Sequence, residues 1–329
     1  MEYLRGGYRI PELRRHYFLE EYCVIARERA RRPTDFIRAR EMRASKECPF
    51  CPGNEEMTPR ALAVYRDDGV FADGETRIRG WWARCIPNMY PAVVQSPAAP
   101  TPEWVAMPAR GGHEVIIESP DHESSPATFD YETAIRMISV YADRYRYHVE
   151  HGSSYVSIFK NWGREAGASL SHTHTQLIAL PLVPPLVMRE ISSISSMPAC
   201  PYCTIAERES SSERLIFIEG EWVCIAPFYS QTPYEMWILP FKHISNLLEL
   251  NDSMLVGLGR ALKEALRRLS ALLKDPPYNY MLFQMGSNYH LNIRIQPAIT
   301  RIAGFEKNTG IYINPVPPEQ AASELRSVS

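Results

Sequence analysis

The stretch Ser171-His172-Thr173-His174-Thr175-Gln176 runs straight into the apolar Leu177-Ile178-Ala179-Leu180. Read as the entry to a strand, it places His172, His174 and Gln176 on one face, because side chains alternate along extended backbone. Two imidazoles and a carboxamide on one face suit a site that handles a metal ion or a phosphoryl group; a solvated loop has no need of them. A Gly-rich approach precedes them, Asn161-Trp162-Gly163-Arg164-Glu165-Ala166-Gly167-Ala168-Ser169. Two Cys-x-x-Cys pairs complete the set, Cys48-Pro49-Phe50-Cys51 and Cys200-Pro201-Tyr202-Cys203.

Each pair is followed by two separated histidines, His122 and His172 in one case, His243 and His290 in the other, at nearly equal intervals. Two thiolates with two imidazoles suit tetrahedral Zn2+, and a Cys-x-x-Cys turn has the bite to fill two corners. Cys48, Cys51, His122 and His172 are therefore read as one zinc site. Cys200, Cys203, His243 and His290 are read as a second, giving two zinc ions per chain. Four protein ligands leave no open position, so both would be structural. His174 is then unused by the metal. Its match in the second half is Asn292, and the match of Gln176 is Arg294. Asparagine cannot act as a nucleophile toward phosphorus, so one reactive histidine per chain is expected, His174. His16, His148 and His151 read as surface residues. His113 reads as a residue that shapes the site or competes with His122 for the metal. Cys23, Cys85 and Cys224 stand singly among apolar neighbours and read as buried, inert thiols.

The elements that must position these residues are written twice. In each half an extended segment (84–91; 223–228) leads to a strand (114–118; 235–239). An amphipathic helix follows (131–149; 253–273), then a β-rich run (155–159; 278–283) and a His-bearing strand. The second helix carries Leu255, Leu258, Leu262, Leu266 and Leu269 on one stripe, with Arg260, Lys263 and Arg267 off it. The interval from Cys pair to middle histidine is longer in the first half, and the Pro-rich residues 95–107 are expected to hold the excess. The expected fold is α+β, two tandem half-domains, each a mainly antiparallel sheet with packed helices. The division falls in the Pro- and Ser-rich link 181–198, giving a catalytic domain 1–185 and a degenerate one 186–329.

A chain of 329 residues can build two cores. A net charge of −2 and a pI near 6.5 point away from nucleic acid as a partner. No apolar run approaches a membrane span, and the first residues lack a signal-peptide core, so no membrane partner and a cytoplasmic location are expected. Cysteines in that setting are ligands or core residues before they are disulfides.

Taken in order, the motifs resemble those of the galactose-1-phosphate uridylyltransferases, the duplicated branch of the histidine-triad superfamily, from residue 26 to about residue 314. Arg29-Ala30-Arg31-Arg32-Pro33 resembles the family's basic segment, and Cys48-Pro49-Phe50-Cys51 its zinc knuckle. Asn88-Met89-Tyr90-Pro91-Ala92 is similar to the segment at the nucleoside end, and Ser119-Pro120-Asp121-His122 to the stretch with the third zinc ligand. Phe159-Lys160-Asn161 with Gly167-Ala168-Ser169 resembles the phosphate-contacting turn. His172-Thr173-His174-Thr175-Gln176 resembles the family's His-Pro-His-x-Gln signature, with Thr173 in place of proline.

The resemblance implies histidine-triad-like half-domains, His172 as a zinc ligand, His174 as nucleophile and Gln176 as a contact of the transferred phosphoryl group. It implies nucleotide-sugar contacts from Arg29, Arg32, Asn88, Asn161, Gly167, Ala168 and Ser169. It also implies a sugar contact from Gly304 and Glu306 that reaches the partner subunit's site in a homodimer. The implied activity is that of a nucleotidyltransferase with a nucleotide sugar and a hexose 1-phosphate as partners. UMP would pass from UDP-glucose to galactose 1-phosphate through a uridylyl-histidine. The alternatives are a related nucleotidyltransferase such as an ADP-sugar phosphorylase, or a non-catalytic zinc-stabilised nucleotide-binding protein. Two departures bear on the choice. Several members carry His-x-His and a second, non-zinc metal where this chain has Asn292 and Arg294, although Glu190 stands where a ligand for that metal is expected. The pair Cys200/Cys203 instead resembles a related branch, which includes plant ADP-glucose phosphorylase and uses a second Cys-x-x-Cys zinc site.

Overall fold

The computed structural model describes residues 11–27, 29, 48–95, 109–286 and 289–328. Arg32 and nearly all of 95–107 therefore lie outside the described residues. The chain opens with strands β1 (Glu12–Arg15) and β2 (Tyr22–Ile25), then β3 (Ala63–Arg66), β4 (Gly69–Phe71), β5 (Ala83–Pro87) and β6 (Gly112–Ile117). Helix α1 (Tyr131–Glu150) precedes β7 (Tyr155–Trp162) and β8 (His174–Leu180), and helices α2 (Pro185–Ser195) and α3 (Pro201–Glu209) follow. The second half runs through β9 (Leu215–Glu219), β10 (Trp222–Ile225), β11 (Met236–Pro240), α4 (Asp252–Leu273), β12 (Tyr278–Phe283) and β13 (Asn292–Pro297). It ends with α5 (Gly304–Thr309), β14 (Tyr312–Asn314) and α6 (Pro318–Ser327). The two long helices start at side-chain caps, where Asp130 accepts from Thr133 N–H and Asn251 from Met254 N–H. Both coincide closely with the predicted amphipathic segments.

The class is α+β, and the duplication is visible in the strand order. One antiparallel sheet runs β4-β3-β5-β6-β8-β7-β12-β13-β11-β10-β9. From the β7–β12 seam outward, β7-β8-β6-β5-β3 is repeated by β12-β13-β11-β10-β9. Helices α1 and α4 pack against each other, tightly at Gly259, where a Cβ would come within 2.9 Å of Ile135 Cα. The main core joins Val156, Ile158, Leu177 and Ala179 of one half and Tyr280, Leu282, Ile293 and Ile295 of the other to Met137, Tyr141, Leu258, Leu262 and Leu266. Of the predicted leucine stripe only Leu255 is partly exposed.

The other face of the sheet is covered unequally. In the second half, Val187, Ile194, Tyr202 and Ile205 of α2 and α3, with Phe18 and Leu19, pack with Val223, Ile225, Trp237 and Leu239. In the first half a smaller cluster forms around the Cys pair, with Phe50, Val64, Val115 and Ile117.

Several expectations need correction. The 181–198 link contains helix α2, whose Glu190 is fully buried. The shared sheet crosses the expected division at 185. So do β1 and β2, which form a separate three-stranded sheet with β14. His16 and His148 are buried, not surface residues; only His151 is exposed. His16 Nδ1 accepts from Phe18 and Leu19 N–H (3.3 and 3.1 Å), and burial lowers its pKa to about 3. His148 pairs with Glu114 (2.8 Å), which also binds Arg144. Cys23, Cys85 and Cys224 are buried, as their neighbours predict. Among the described residues no helix is long and apolar enough to cross a membrane.

Candidate active site and metal centres

The first Cys pair lies in a tight turn closed by Cys51 N–H on Cys48 O (3.2 Å), with Asn54 Nδ2 donating to the same carbonyl (2.8 Å). Cys48 Sγ and Cys51 Sγ stand 3.7 and 3.6 Å from His172 Nδ1, and Cys51 Sγ stands 3.3 Å from His122 Nδ1. The second pair opens helix α3. Cys200 and Cys203 lie 3.6 and 3.5 Å from His290 Nδ1, Cys203 lies 3.6 Å from His243 Nδ1, and the two Nδ1 atoms are 3.4 Å apart. Metal–sulfur and metal–nitrogen bonds of about 2.3 and 2.05 Å at tetrahedral angles give S···N edges of roughly 3.6 Å. Both quartets fit that geometry, with all ligand atoms of each within 4.8 Å of one another.

The second nitrogen of each central histidine is also placed. His172 Nε2 donates to Ser119 O (2.8 Å) and His290 Nε2 to Pro240 O (3.2 Å), which leaves Nδ1 as the ligand atom. Burial lowers both rings to about 4, so they present lone pairs. Burial and the neighbouring cysteine push the Cys51 and Cys203 thiols up to about 12, a cost a bound cation removes. These residues could hold two metal ions.

Strand β8 begins at His174, so His172 sits in the turn before it while His174 and Gln176 share one face. His174 Nδ1 donates to His172 O (2.8 Å), which leaves the lone pair on Nε2. Phe50 of the Cys knuckle meets the His174 ring edge-on at 5.4 Å. Burial, and then the Lys160 charge, lowers the His174 pKa. Behind the strand Lys160 donates to His174 O and Thr173 Oγ1 (both 2.9 Å) and pairs with Glu118. Glu118 also accepts from Thr173 and Thr175 (both 2.6 Å) and from Tyr141. Burial alone would raise the Glu118 carboxyl, but the Lys160 charge and these hydrogen bonds hold it below its usual value. This pair was missed in the sequence, although Lys160 of β7 and Glu118, just after β6, take the helix-facing side, where a charge needs a partner.

Gln176 Oε1 lies 2.9 Å from His113 Nε2, and Asn88 Nδ2 lies 3.1 Å from the same nitrogen. His113 is thus beside Gln176, and the histidine that joins Cys48, Cys51 and His172 in the quartet is His122. Asn161 pairs across the seam with Asn279, which donates to Asn161 Oδ1 and Ala166 O (both 2.8 Å). Asn279, a second-half residue, gave no signal of its own in the sequence. A 3-10 turn, Arg164–Ala166, ends at Gly167, whose φ of +92° favours glycine, and Asn161 Nδ2 is 3.6 Å from where its Cβ would be. Ser169 is exposed and Ala168 half-buried. The Gly167 and Ala168 N–H groups close this turn on Arg164 O and Gly163 O (both 3.0 Å), so the groups suited to phosphoryl oxygens beside the neutral imidazole lone pair are the carboxamides and Ser169. Arg29 is exposed, and Glu306 caps its own helix through Ala303 N–H (3.0 Å). No hydrogen bond among the described residues joins Arg29, Gly304 or Glu306 to this cluster.

The corresponding face of the second half is filled. Asn292 Nδ2 donates to His290 O (2.9 Å), as His174 does to His172 O. Arg294 reaches Asn292 Oδ1 (2.9 Å), Glu190 Oε1 (2.7 Å) and Tyr202 OH (2.6 Å), under the Phe283 ring. The guanidinium supplies the positive charge opposite Glu190. Burial works to raise that carboxyl, and Arg294 with Tyr289 and Tyr202 outweighs it.

The family model described as galactose-1-phosphate uridyl transferase, N-terminal domain, matches residues 9–184. ADP-glucose phosphorylase of Arabidopsis thaliana is 34% identical over 97% of this chain and 93% of its own. The crystal structure of an Arabidopsis ADP-glucose phosphorylase with bound ADP-glucose superposes with a TM-score of 0.82 at 32% identity, covering 97% of this chain and 100% of that one. Galactose-1-phosphate uridylyltransferase of Thermotoga maritima is 26% identical over 96% of this chain and 98% of its own. With a matching model over more than half the chain and relatives along nearly all of it, this protein belongs to the galactose-1-phosphate uridylyltransferase family.

Proposed function

We propose that the protein transfers a nucleoside monophosphate from a nucleotide sugar through a nucleotidyl-histidine at His174. The carrying observation is the Nδ1–H bond to His172 O, which aims the Nε2 lone pair away from its own backbone. His174 Nε2 attacks the α-phosphorus, the bond to the sugar-phosphate oxygen breaks, and hexose 1-phosphate leaves with the electron pair. An incoming phosphate oxygen then attacks the phosphoryl-histidine and returns the imidazole to its starting state. Gln176, Asn161 and Ser169 donate hydrogen bonds to the phosphoryl oxygens, the turn at Gly167 and Ala168 shapes the space beside them, and Arg29 and Arg32 offset the diphosphate charge. Cys48, Cys51, His122 and His172 would hold one zinc ion, and Cys200, Cys203, His243 and His290 a second. The first ion would tie the Cys knuckle to the start of β8.

The substrate-level reading we favour is phosphorolysis of ADP-glucose to ADP and glucose 1-phosphate. The second Cys/His quartet and the similarity along the whole chain to a plant ADP-glucose phosphorylase support it. Uridylyl transfer from UDP-glucose to galactose 1-phosphate is the second reading, supported by the family match. Protein incubated with ADP-glucose or UDP-glucose labelled at the α-phosphate should take up an acid-labile, alkali-stable label that His174→Ala lacks. Phosphate should discharge the adenylyl form faster than galactose 1-phosphate does. A mutant that labels like the parent would refute the nucleophile, and faster discharge by galactose 1-phosphate would select the second reading.

A further inference from the structure

We infer that His113 is a positioning residue that sets which end of the Gln176 carboxamide faces the transferred phosphoryl group, and that it ties this choice to the 88–92 segment. The inference deepens the proposed function and rests on it for the role of Gln176. A carboxamide has an acceptor at one end and two donors at the other, whereas a phosphoryl oxygen only accepts. A reversed Gln176 would therefore repel the group it has to bind, and a neighbour must decide its orientation.

The backbone N–H of Ala92 donates to His113 Nδ1 at 3.0 Å, so Nδ1 carries the lone pair and the ring proton sits on Nε2. Nε2–H then donates to Gln176 Oε1 at 2.9 Å. With its oxygen committed, Gln176 presents its NH2 to the pocket, and turning it over would set donor against donor. Asn88 Nδ2 lies 3.1 Å from the same Nε2, while Asn88 Oδ1 is held by Tyr90 N–H at 2.8 Å. Because Nε2 cannot accept while it carries the proton, the 3.1 Å approach of Asn88 Nδ2 is a contact between two donors, and the tautomer rests on the Ala92 N–H bond to Nδ1 and the Gln176 Oε1 bond to Nε2. The register agrees: His113 pairs with Ile178 across β6 and β8, which puts its side chain on the Gln176 face, one diagonal away.

The segment 88–92 is also anchored through Asn88 N–H on His113 O (2.8 Å). It resembles the family's nucleoside-end segment, and it supplies the N–H that sets the His113 tautomer. A nucleoside that seats this segment keeps Gln176 in its donating orientation. One that displaces it releases Nδ1, and the ring can then change tautomer and let Gln176 turn. Discrimination between nucleosides should therefore appear in the rate of phosphoryl transfer more than in binding.

The test uses the full chain and the first half-reaction, with whichever of ADP-glucose and UDP-glucose labels the parent. His113→Phe keeps a ring and removes the donor; it should slow nucleotidyl transfer about 10²-fold while shifting KM less than about threefold. His113→Gln restores an N–H near the Nε2 position and should recover most of the rate. In a Gln176→Ala background His113→Phe should cost nothing further, because its effect passes through Gln176. An equal loss in both backgrounds, or an unchanged rate in His113→Phe, overturns the inference. Ring 15N resonances need no turnover: the Nε2–H tautomer is expected for His113, and an Nδ1–H tautomer overturns the inference. If His174→Ala labels like the parent, or no nucleotide sugar labels the parent, the proposed function fails and the tautomer alone decides the His113–Gln176 geometry.

Discussion

At His174 one ring nitrogen is held by the carbonyl of His172, and that carbonyl's own residue belongs to a metal quartet. The buried groups around it are paired in the same strict manner, since an unmatched charge there would cost several kcal/mol, about 3–5 when one partner is removed. Glu118 with Lys160 and Glu190 with Arg294 are the two such pairs beneath the β8 and β13 strands. Burial acts to raise both carboxyls, and the partner cations outweigh it, so both sit below their ordinary value. A carboxyl lowered by folding stabilises the protein above its unfolded pKa, about 4.3 for Glu. That contribution disappears as pH falls through the lower folded value. Tm should already decline below about pH 6.5, where the unfolded chain protonates His16, His172 and His290 while burial keeps them neutral in the fold, and should fall more steeply below about pH 4 as these carboxyls are protonated. Glu190→Gln should start lower, with Arg294 left uncompensated, but lose less on acidification. If thermal scans show the same acid limb in both proteins, Glu190 has no part in it.

At the scale of elements, β8 owes its working geometry to what packs on each side of it. The Cys knuckle places Phe50 on His174 from the pocket side, and Lys160 of β7 bonds its backbone from the helix side. The two helices that carry the core depend in turn on one close approach, at Gly259. A side chain there meets the α1 backbone, not a movable side-chain tip, because Ile135 Cα and Ala134 O lie 2.9 and 3.0 Å from the Cβ position. Gly259→Leu should destabilise by about 1–3 kcal/mol or more through overpacking, read as a lower urea midpoint. An unchanged midpoint would mean that α1 and α4 can separate freely. Helix-propensity gain at the same position acts in the opposite direction by only about 1 kcal/mol, so the sign is set by packing.

Across the whole molecule the two halves share a sheet and a repeated strand order but differ in what lies on the outer face. In the second half α2, α3 and residues 16–19 cover the face that corresponds to the one carrying His174, with Arg294 and Glu190 beneath them. Disrupting one or the other Cys/His quartet should therefore have unequal consequences. Elemental analysis should find two zinc ions per chain, and Cys48→Ser or Cys203→Ser should each remove one. Loss of the first should abolish labelling of His174, because Phe50 and His172 lose their anchor. Loss of the second should lower Tm and leave most of the labelling. Equal loss of labelling in both would show that the second site also supports the reactive centre.

The sequence by itself determined whatever is carried by short-range pattern. The Cys-x-x-Cys spacing, the alternation from His172 to Gln176, the leucine stripe of α4 and the matching order of motifs in the halves each need only the period of a turn, strand or helix. From these came the α+β class, the two Cys/His quartets and the placing of His174 and Gln176 on one strand face. Only the tertiary structure decided which side chains far apart in the chain face each other. It buried His16 and His148, paired Lys160 with Glu118, brought Asn279 to Asn161 and drew helix α2 from an expected link to place Glu190 on Arg294. The physical reason is strand pairing and helix packing between segments distant in the chain, of which the β7–β12 seam is the case that joins Asn279 to Asn161. Hydrogen bonding there merges two expected sheets into one and sets α1 against α4. Each contact across it joins residues that local periodicity treats independently.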